Sequence, residues 1–350
     1  MTNNTAIIYH KDYLEHKQAG LHPERKDRLI ETMNLFKIKG VFNTADLLTP
    51  EPATDVDLQR VHTKKHIEHI KNMSTRGGGM LTPDTRVSKN TYEIAKLAAG
   101  GVMLAGDCVV CGKYKNSYAL VRPPGHHATR DAGMGFCYFN NVSVMVEYLK
   151  EKHNLKKILI LDWDAHAANG TMDIFYNDDG VLNISIHQDP RTFYPGTGFI
   201  NQIGEGAGEG YTVNIPVSRG SGDADYIYIL KTFVAGLAES FKPELIVISV
   251  GIDSHKDDDI SELCLTTRGY GVMTDIIKEL AEKLCDGKLV CELEGGYNLK
   301  ALAESNLEIV NSLMGKQVPY AEVAGKPMAE TIKLVNELKQ IFSKYHNFNV

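Results

Sequence analysis

The chain has 350 residues, and its 38 Lys and Arg against 44 Asp and Glu give a formal net charge of −6 at pH 7. A composition with 43% hydrophobic and 23% charged residues predicts a folded globular protein and excludes disordered, collagenous and coiled-coil chains. No basic block accompanies this charge, so direct nucleic-acid binding is not expected, and the longest apolar runs are too short for a membrane helix.

Six cysteines are too few for a disulfide scaffold, and the first residues do not join a charged segment to a long apolar one. We therefore predict a cytoplasmic protein with reduced cysteines. Cys108-Val-Val-Cys111 has the spacing of many zinc and redox pairs. It lies at the apolar end of a predicted helix without a second pair, which favours a structural role.

Short β-branched runs alternate with longer segments of helical periodicity along the chain. The predicted strands are Ala6–Tyr9, Tyr118–Val121, Lys157–Leu161, Leu182–Ile186, Leu245–Val250 and Leu289–Leu293. The predicted helices are Pro23–Lys37, Thr91–Val110, Asn140–His153, Asp223–Ser240, Thr267–Leu284, Asn298–Leu313 and a last segment at about 327–342. This alternation predicts an α/β fold, a single domain over residues 1–350 with a mostly parallel sheet and helices on both faces.

Polar clusters directly follow four of the predicted strands. They are Arg122-Pro-Pro-Gly-His126-His127, Asp162-Trp-Asp164-Ala-His166, Gly251-Ile-Asp253-Ser-His255 and Glu294-Gly-Gly-Tyr297. Ligands of open α/β sheets bind outside the carboxyl ends of the strands, so the four clusters are expected to meet at one edge.

Asp164 and His166 are two residues apart and point the same way in extended backbone, so both can reach one metal ion. Asp253 is the best candidate for a third ligand, which would leave open positions for water and substrate, as in catalytic zinc sites. One His and two carboxylates accept Zn²⁺ or Fe²⁺. Taken alone, Asp162 or Asp164 is also a typical cap for the following helix.

His126 and His127 are better suited to general-base duty beside a metal than to metal binding, because adjacent residues rarely aim at one ion. Each imidazole needs an acceptor on its other nitrogen, and Asp162 and Asn169 are the candidates. The phenol of Tyr297 can donate a hydrogen bond to a carbonyl oxygen that becomes an oxyanion, although most tyrosines only pack.

These residues resemble a known family, and the matching motifs keep the family order from His22 to Asn298. The motifs are Arg122-Pro-Pro-Gly-His-His-Ala128, Gly135-Phe-Cys-Tyr-Phe-Asn-Asn141, Asp162-Trp-Asp-Ala-His166, Asn169-Gly-Thr171, Phe193-Tyr-Pro-Gly-Thr-Gly198, Gly251-Ile-Asp253 and Leu293-Glu-Gly-Gly-Tyr-Asn298. They closely resemble the histone deacetylase superfamily, which includes acetylpolyamine amidohydrolases and acetoin-utilisation proteins, and they favour its class II-like prokaryotic branch.

The resemblance implies an arginase/deacetylase fold and zinc-dependent removal of an acetyl group from an N-acetylated amine, with release of acetate. The implied roles are shared among four groups of residues: zinc ligands Asp164, His166 and Asp253; the catalytic histidines His126 and His127 with Asp162 and Asn169 behind them; Tyr297 on the acetyl carbonyl; and Gly135, Phe136 and Tyr194 along the substrate channel. Asp84 is the choice for an acidic residue at the rim. A potassium ion near the zinc would involve Asp162, Asp164, His166, Ser185 and Ile186.

One departure from the family motifs and several alternatives accompany this resemblance. The family's usual His-His-Gly-Asn-Gly stretch reads His166-Ala-Ala-Asn-Gly170, and altered packing with retained activity is expected. Asp164-Ala-His166 also resembles ureohydrolases with two manganese ions, but Ala168 and His255 stand where the second metal needs Asp. A non-catalytic acetyl-lysine reader is the other alternative. Acetyl-lysine, acetylpolyamines and small acetylated metabolites all remain candidate substrates. Ile260 stands at the approximate position of a polyamine-selecting acidic gate, with Glu262 nearby, and this favours acetyl-lysine or a broad substrate range.

Overall fold

The computed structural model describes residues 4–18, 20–317, 319–323 and 325–348. Its centre is a parallel sheet of eight strands, and a two-stranded antiparallel hairpin forms a separate small sheet. In chain order the strands are β1 (Thr5–Ile8), β2 (Asp46–Leu48), β3 (Gly78–Thr82), β4 (Thr85–Ser88), β5 (Asn116–Ala119), β6 (Ile158–Asp162), β7 (Val181–Gln188), β8 (Thr212–Val217), β9 (Leu245–Val250) and β10 (Leu289–Leu293). The order across the large sheet is β2-β1-β5-β10-β9-β6-β7-β8.

Most of the strands of the large sheet are connected by α-helices. In the described residues the α-helices are α1 (Asp27–Ile38), α2 (Asp55–Leu58), α3 (Lys64–Thr75), α4 (Thr91–Val110), α5 (Asn141–His153), α6 (Asn169–Phe175), α7 (Asp223–Ile229), α8 (Ala235–Phe241), α9 (Thr267–Cys285), α10 (Leu299–Leu313) and α11 (Ala329–Phe342). Neighbouring pairs such as α4 and α5 or α9 and α10 pack against each other. None of the helices in these ranges is long and apolar enough to cross a membrane.

The middle strands are mostly apolar because helices cover both faces of the sheet, and their polar residues Asp162, Ser249 and Glu292 are buried as well. Every residue of β6, β9 and β10 is buried. Their β-branched and leucine side chains form one continuous core with the apolar faces of the helices. This explains why the strand predictions were most accurate here, where Leu245–Val250 and Leu289–Leu293 have the predicted bounds.

The differences from the predicted elements lie mainly at the sheet edges. The edge strand β2 has three residues, and the other edge strand, β8, contains a proline, so neither shows a strong strand pattern. The predicted helix Asp223–Ser240 is interrupted by a π-helical turn at Leu230–Val234, which separates α7 from α8. The first predicted helix begins at Asp27 rather than Pro23.

The four strands that precede the polar clusters are adjacent to one another. They occupy the consecutive positions β5, β10, β9 and β6 of the sheet. All pairs are parallel, so their carboxyl ends lie at one edge. The fold therefore brings the four clusters together, and we call this edge, with Asp162, Asp164, His166 and Asp253, the catalytic edge.

Candidate active site

Three potential metal ligands converge at the catalytic edge. Asp164 and His166 follow β6, and Asp253 follows the adjacent strand β9. The Nδ1 atom of His166 lies 2.9 Å from Asp164 Oδ1 and 3.0 Å from Asp253 Oδ2. Ligand atoms of all three residues lie within 4.8 Å of one another. One nitrogen and two carboxylate oxygens at this spacing can hold one divalent metal ion.

Burial couples the protonation of these three side chains. Burial and the nearby Asp164 carboxylate raise the pKa of Asp253 to about 7. Burial lowers the pKa of His166, but its hydrogen bonds to Asp164 and Asp253 outweigh this effect and raise the pKa to about 9. A proton is thus held where the ligand atoms converge, and a cation would replace it. The donor set therefore fits a divalent metal.

Two glycines leave the space that this arrangement requires. A Cβ atom on Gly295 would lie 2.5 Å from carboxylate oxygens of both Asp164 and Asp253, and one on Gly251 would lie 2.3 Å from Asp164. The backbone N–H of Gly295 also donates to Asp164 Oδ2 at 2.9 Å. Any larger residue at these positions would displace a ligand.

His126 and His127 lie beside this group but have different partners. His126 Nδ1 lies 2.9 Å from Asp162 Oδ2, and His127 Nδ1 lies 2.6 Å from Asn169 Oδ1. Burial lowers the pKa of His126, but the charges of Asp164 and Asp162 outweigh it and raise this pKa well above the usual value. Burial and the neighbouring histidines hold the pKa of His127 well below its usual range. A carboxylate partner therefore favours an imidazolium, and an amide partner leaves a neutral imidazole.

A buried glutamate fixes the turn that carries the two histidines. Glu294 Oε2 accepts a hydrogen bond of 2.7 Å from the backbone N–H of Gly125. A Cβ atom on Gly125 would lie 2.5 Å from the backbone nitrogen of Asn141, so this close approach requires glycine. Glu294 directly follows β10, and Glu292 lies within that strand. Burial and the charge of Glu294 raise the pKa of Glu292 well above the usual value.

Tyr297 lies in a loop that two charged residues hold in place. Asp258 Oδ2 accepts hydrogen bonds from the backbone N–H groups of Tyr297 and Asn298, at 2.5 and 2.9 Å. The Arg28 guanidinium donates to the carbonyl oxygens of Gly296 and Glu294 and lies 5.1 Å from the Tyr297 ring centroid. Burial, together with the Asp253 charge, raises the pKa of Tyr297 well above the usual value, so the phenol keeps its proton.

Arg28 belongs to a buried group that also contains Glu24 and Arg122, and we call these three residues the arginine cluster. Arg122 Nε donates to Glu24 Oε1 at 2.5 Å, and Arg28 Nη1 lies 3.4 Å from the same oxygen. Burial raises the pKa of Glu24, but Arg122 and the other neighbouring cations outweigh it and lower the pKa to about 2. The remaining guanidinium N–H groups of Arg122 donate to backbone carbonyls, including those of Tyr13 and His16.

Aromatic rings surround the approach to the histidines. The Phe193 ring stacks on the His166 ring, with centroids 4.6 Å apart, and the Tyr194 ring meets the His127 ring edge-on at 5.1 Å. The Phe136 ring lies edge-on to the Tyr297 ring, at 5.9 Å. These contacts place Phe136 and Tyr194 beside the predicted catalytic residues and add Phe193.

Gly135 lies inside this aromatic group and has a left-handed backbone conformation, with φ of 55°. A Cβ atom at this position would lie 2.4 Å from the His127 ring and 3.1 Å from the Tyr194 hydroxyl. The absence of a side chain therefore keeps open the space between the two rings. This gives Gly135 a physical role next to the predicted channel residues.

Asp84 lies in the turn between β3 and β4, close to the same rings. Its Oδ1 atom accepts hydrogen bonds from the hydroxyl groups of Thr82, at 2.5 Å, and Thr85, at 2.9 Å. Thr85 Oγ1 also accepts from the backbone N–H of Phe136, at 3.0 Å. One carboxylate oxygen of Asp84 is thus fixed next to the aromatic group, on a hairpin outside the main sheet.

Ser185 and Ile186, predicted for a potassium site, lie in β7 beside β6. Ser185 is paired in register with Asp162. Its Oγ atom lies 2.8 Å from His187 Nδ1 and accepts from the backbone N–H of Ala168 at 3.3 Å. The five residues predicted for potassium are thus distributed over the ends of two adjacent strands.

Comparison with known proteins identifies the family. The family model described as histone deacetylase domain matches residues 22–313. The chain belongs to the histone deacetylase family. It is 44% identical to a probable deacetylase of Archaeoglobus fulgidus, over 89% of this chain and 86% of that protein. It is 38% identical to the histone deacetylase-like amidohydrolase of Pseudomonas aeruginosa, over 84% of this chain and 76% of that protein.

A solved structure has the same architecture as this chain. The crystal structure of the HDA15 HD domain matches with a TM-score of 0.91 and 34% sequence identity, over 99% of this chain and 96% of that one. The predicted family and the predicted arginase/deacetylase fold are therefore confirmed. Family membership also supports a deacetylase or amidohydrolase, a hydrolase that acts on an acetylated substrate.

The departure from the family motif at residues 167 and 168 is accommodated by packing. Ala167 and Ala168 are both buried. A Cβ atom on Gly198 would lie 2.6 Å from Ala167 Cβ, so the loop that carries Phe193 and Tyr194 approaches Ala167 closely. A small side chain at 167 suits this contact, in line with the altered packing expected from the sequence.

Sequence reasoning missed several residues that form the site. Phe193 is not among the predicted channel residues. Its position directly before Tyr194, in the motif Phe193-Tyr-Pro-Gly-Thr-Gly198, is a signal that could have indicated it. Asp258 lies in the run Lys256–Asp259, where it resembles a solvent-exposed acid, yet it is only 4% exposed. Glu24 lies at the start of the stretch that resembles the family and Arg28 follows it closely, but no local pattern indicates that Arg28 reaches the Tyr297 ring.

Proposed function

We propose that this protein is a zinc-dependent amidohydrolase that removes the acetyl group from N-acetylated amines, with acetyl-lysine peptides as the preferred substrates. The convergence of His166, Asp164 and Asp253 beside a neutral histidine and a protonated tyrosine carries this proposal. These are the groups that amide hydrolysis at neutral pH needs: a metal site, a proton acceptor and a hydrogen-bond donor.

Asp164, His166 and Asp253 would hold the metal. When bound, Zn²⁺ lowers the pKa of a coordinated water towards about 7 and polarises a carbonyl oxygen. Fe²⁺ accepts the same donor set, so metal content has to be measured on the purified protein. A pair of manganese ions, as in ureohydrolases, is disfavoured because Ala168 and His255 replace the carboxylates that a second ion would need.

The two histidines would divide the proton transfers. His127 is neutral and can take a proton from the attacking water, since its amide partner Asn169 does not stabilise a positive charge. The hydrogen bond between His126 Nδ1 and Asp162 would orient this imidazole and stabilise positive charge on it as negative charge develops on the reacting amide. The proton on His127 would then pass to the leaving amine.

Tyr297 would stabilise the oxyanion. Its phenol keeps its proton. Arg28 fixes the backbone carbonyl of the preceding residue, Gly296, and Asp258 fixes the backbone N–H of Tyr297 itself. A preorganised donor of this kind gains strength in a buried site, because it does not have to reorient as charge develops on the oxygen.

Gly135, Phe136 and Tyr194 would line the channel for the acylated side chain, together with Phe193. Asp84 would bind the substrate backbone at the rim, where its second carboxylate oxygen can accept N–H groups. Asp162, Asp164, His166, Ser185 and Ile186 would hold a potassium ion, which would stabilise the packing of β6 against β7. We also propose that the protein acts in the cytoplasm, as its composition and cysteine usage predict.

The deciding experiment compares kcat/KM for an acetyl-lysine peptide, acetylspermidine and acetylputrescine, with metal content measured on the same sample. We expect about one zinc or iron per chain at this site and the highest kcat/KM for the peptide. Higher values for the acetylpolyamines would reassign the substrate but keep the reaction. Two manganese ions per chain and urea release from a guanidine substrate would overturn the deacetylase proposal.

A further inference from the structure

A second group of metal-ligating side chains lies outside the catalytic edge. It consists of Asp107, Cys111 and His153, and one ligand atom from each lies within 4.8 Å of the others. None of these residues takes part in the proposed reaction. We call this group the peripheral triad.

The peripheral triad is built at the ends of two packed helices. Asp107 lies in the last turn of α4 and Cys111 caps the same helix, four residues on, so both face one side. His153 is the last residue of α5, which packs against α4. Both helices end shortly before the first residues of β5 and β6, so the triad lies at the sheet edge opposite the catalytic edge.

Electrostatics at this position favours a cation. Two helix C-termini meet here, each with negative partial charge from its free carbonyl groups. Asp107 Oδ1 lies within hydrogen-bond distance of both Lys152 Nζ and His153 Nε2, and its carboxylate adds to the negative potential. Lys152 Nζ lies 2.9 Å from Asp107 Oδ1 and balances part of this negative potential.

The geometry leaves room for a metal to replace these contacts. His153 Nε2 and Asp107 Oδ1 are 2.7 Å apart. Two ligand atoms that each lie about 2.0–2.1 Å from a tetrahedral ion are roughly 3.3 Å from each other. A small movement of His153 away from Asp107 would therefore make room for the ion. Lys152 has a side chain 46% exposed and can rotate into solvent, and Cys111 is also exposed.

The combination of ligands indicates the class of metal. A thiolate, an imidazole and a carboxylate suit Zn²⁺, with water as a fourth ligand, whereas Mg²⁺ and Ca²⁺ prefer oxygen alone. We propose that Asp107, Cys111 and His153 form a second, peripheral binding site for Zn²⁺ or a similar transition-metal dication, which links the ends of α4 and α5. The site uses one cysteine of the C-x-x-C pair, while Cys108 is buried and its thiol contacts the Ala105 carbonyl.

Cobalt substitution tests this proposal independently of deacetylase activity. A thiolate bound to Co²⁺ gives a charge-transfer absorption band in the near ultraviolet, and the ligands at the catalytic edge include no sulfur. We expect the wild-type protein to bind two equivalents of Co²⁺ and show this band. Cys111→Ser should lose the band and one equivalent, and His153→Gln should weaken cobalt binding there at least tenfold.

Two controls separate the peripheral triad from other sites. Cys264→Ser removes the other exposed cysteine and should keep both the band and the second equivalent. Asp253→Asn should lose the catalytic equivalent and keep the band, whether or not the protein is a deacetylase. Unchanged circular dichroism would show that Cys111→Ser is folded. A wild-type protein with no band, or a band that survives Cys111→Ser, would overturn the proposal.

Discussion

The catalytic edge and the arginine cluster are both buried and both charged, but their charges are balanced differently. In the arginine cluster, the Glu24 carboxylate lies between two guanidiniums, whose other N–H groups donate to backbone carbonyls. At the catalytic edge, Asp164 and Asp253 face each other across His166. Guanidiniums, which stay charged, compensate the carboxylate in the first region, whereas in the second the compensating charge is a proton shared by His166 and its partners, which a metal cation can replace.

This difference separates structural from functional burial of charge. A buried carboxylate paired with guanidiniums needs no ligand, and the same guanidiniums can fix a loop, as Arg28 of the arginine cluster fixes the backbone around Tyr297. At the catalytic edge, burial and the Asp164 charge raise the pKa of Asp253 although His166 lies beside it, so the histidines compensate the buried carboxylates only in part. Incomplete compensation of charge, more than burial itself, therefore indicates where a ligand belongs.

The largest expected effect comes from reducing the negative charge at the catalytic edge. Asp253→Asn removes one ligand charge, so we expect the catalytic metal to be lost and kcat/KM on an acetyl-lysine peptide to fall by more than about 10³-fold, since metal catalysis supplies several kcal/mol. Metal content per chain and turnover should be measured on the same sample.

Glu292→Gln is the matched control, because Glu292 is equally buried but its raised pKa keeps it protonated. It should therefore retain both metal and activity. An Asp253→Asn enzyme that keeps a full equivalent of catalytic metal and normal turnover would show that Asp253 is not a ligand.

Breaking the arginine cluster should damage stability instead of metal binding. Arg122→Met leaves the Glu24 carboxylate without its closest partner, and loss of one member of a buried pair costs about 3–5 kcal/mol of unfolding free energy. Urea unfolding measures this loss, and metal content of the folded fraction should stay near the wild-type value. Glu24→Gln in the same background should recover part of the stability. A loss below about 1 kcal/mol, the level of a surface pair, would contradict this assignment.

Tyr297→Phe tests the contact between the two regions, since Arg28 of the arginine cluster lies against this ring at the catalytic edge. Removing one oxyanion donor lowers kcat by about 10²–10³-fold, or roughly 3–4 kcal/mol. Metal content and unfolding free energy should not change, because the hydroxyl is neither a ligand nor a partner of Arg28. Near-normal turnover would remove Tyr297 from the mechanism.

The sequence predicted the site best where the local spacing of residues and the parallel sheet both place side chains at the same edge. Asp164 and His166 are two residues apart after an apolar strand, so their convergence follows from strand geometry. That Asp253 joins them depends on β9 lying beside β6, and the rule about carboxyl ends of parallel strands was enough to predict this. The family resemblance added the roles of the residues.

The arginine cluster and the Tyr297 supports could not be predicted from local pattern. Glu24 and Arg122 are 98 residues apart, and although Arg122 lies in one of the polar clusters, nothing in the local pattern pairs it with Glu24. Asp258 looks like part of an acidic surface run, but its carboxylate accepts the backbone N–H groups of Tyr297 and Asn298. Such contacts depend on how loops fold over the sheet edge, and the periodicity of the chain carries no information about that.

The smallest effect concerns a buried residue that holds no charge. His62 Nδ1 lies 2.9 Å from the Thr129 carbonyl oxygen, and its Nε2 accepts from the backbone N–H of Asn140 at 2.9 Å, so both ring nitrogens are used by the neutral form. Burial lowers the pKa of His62 to about 3, against about 6.5 in the unfolded chain.

Because the folded pKa of His62 lies below the unfolded one, the unfolded state binds the proton first. Its contribution to stability is complete above pH 6.5 and is lost as the pH falls from 6.5 towards 3, by about 2 kcal/mol at pH 5. Urea unfolding at pH 7 and pH 5 should therefore show a smaller difference for His62→Gln than for wild type. The exposed His69, replaced by Gln, should leave the difference unchanged. Equal differences for wild type and His62→Gln would mean that other groups, such as His16, govern the acid sensitivity.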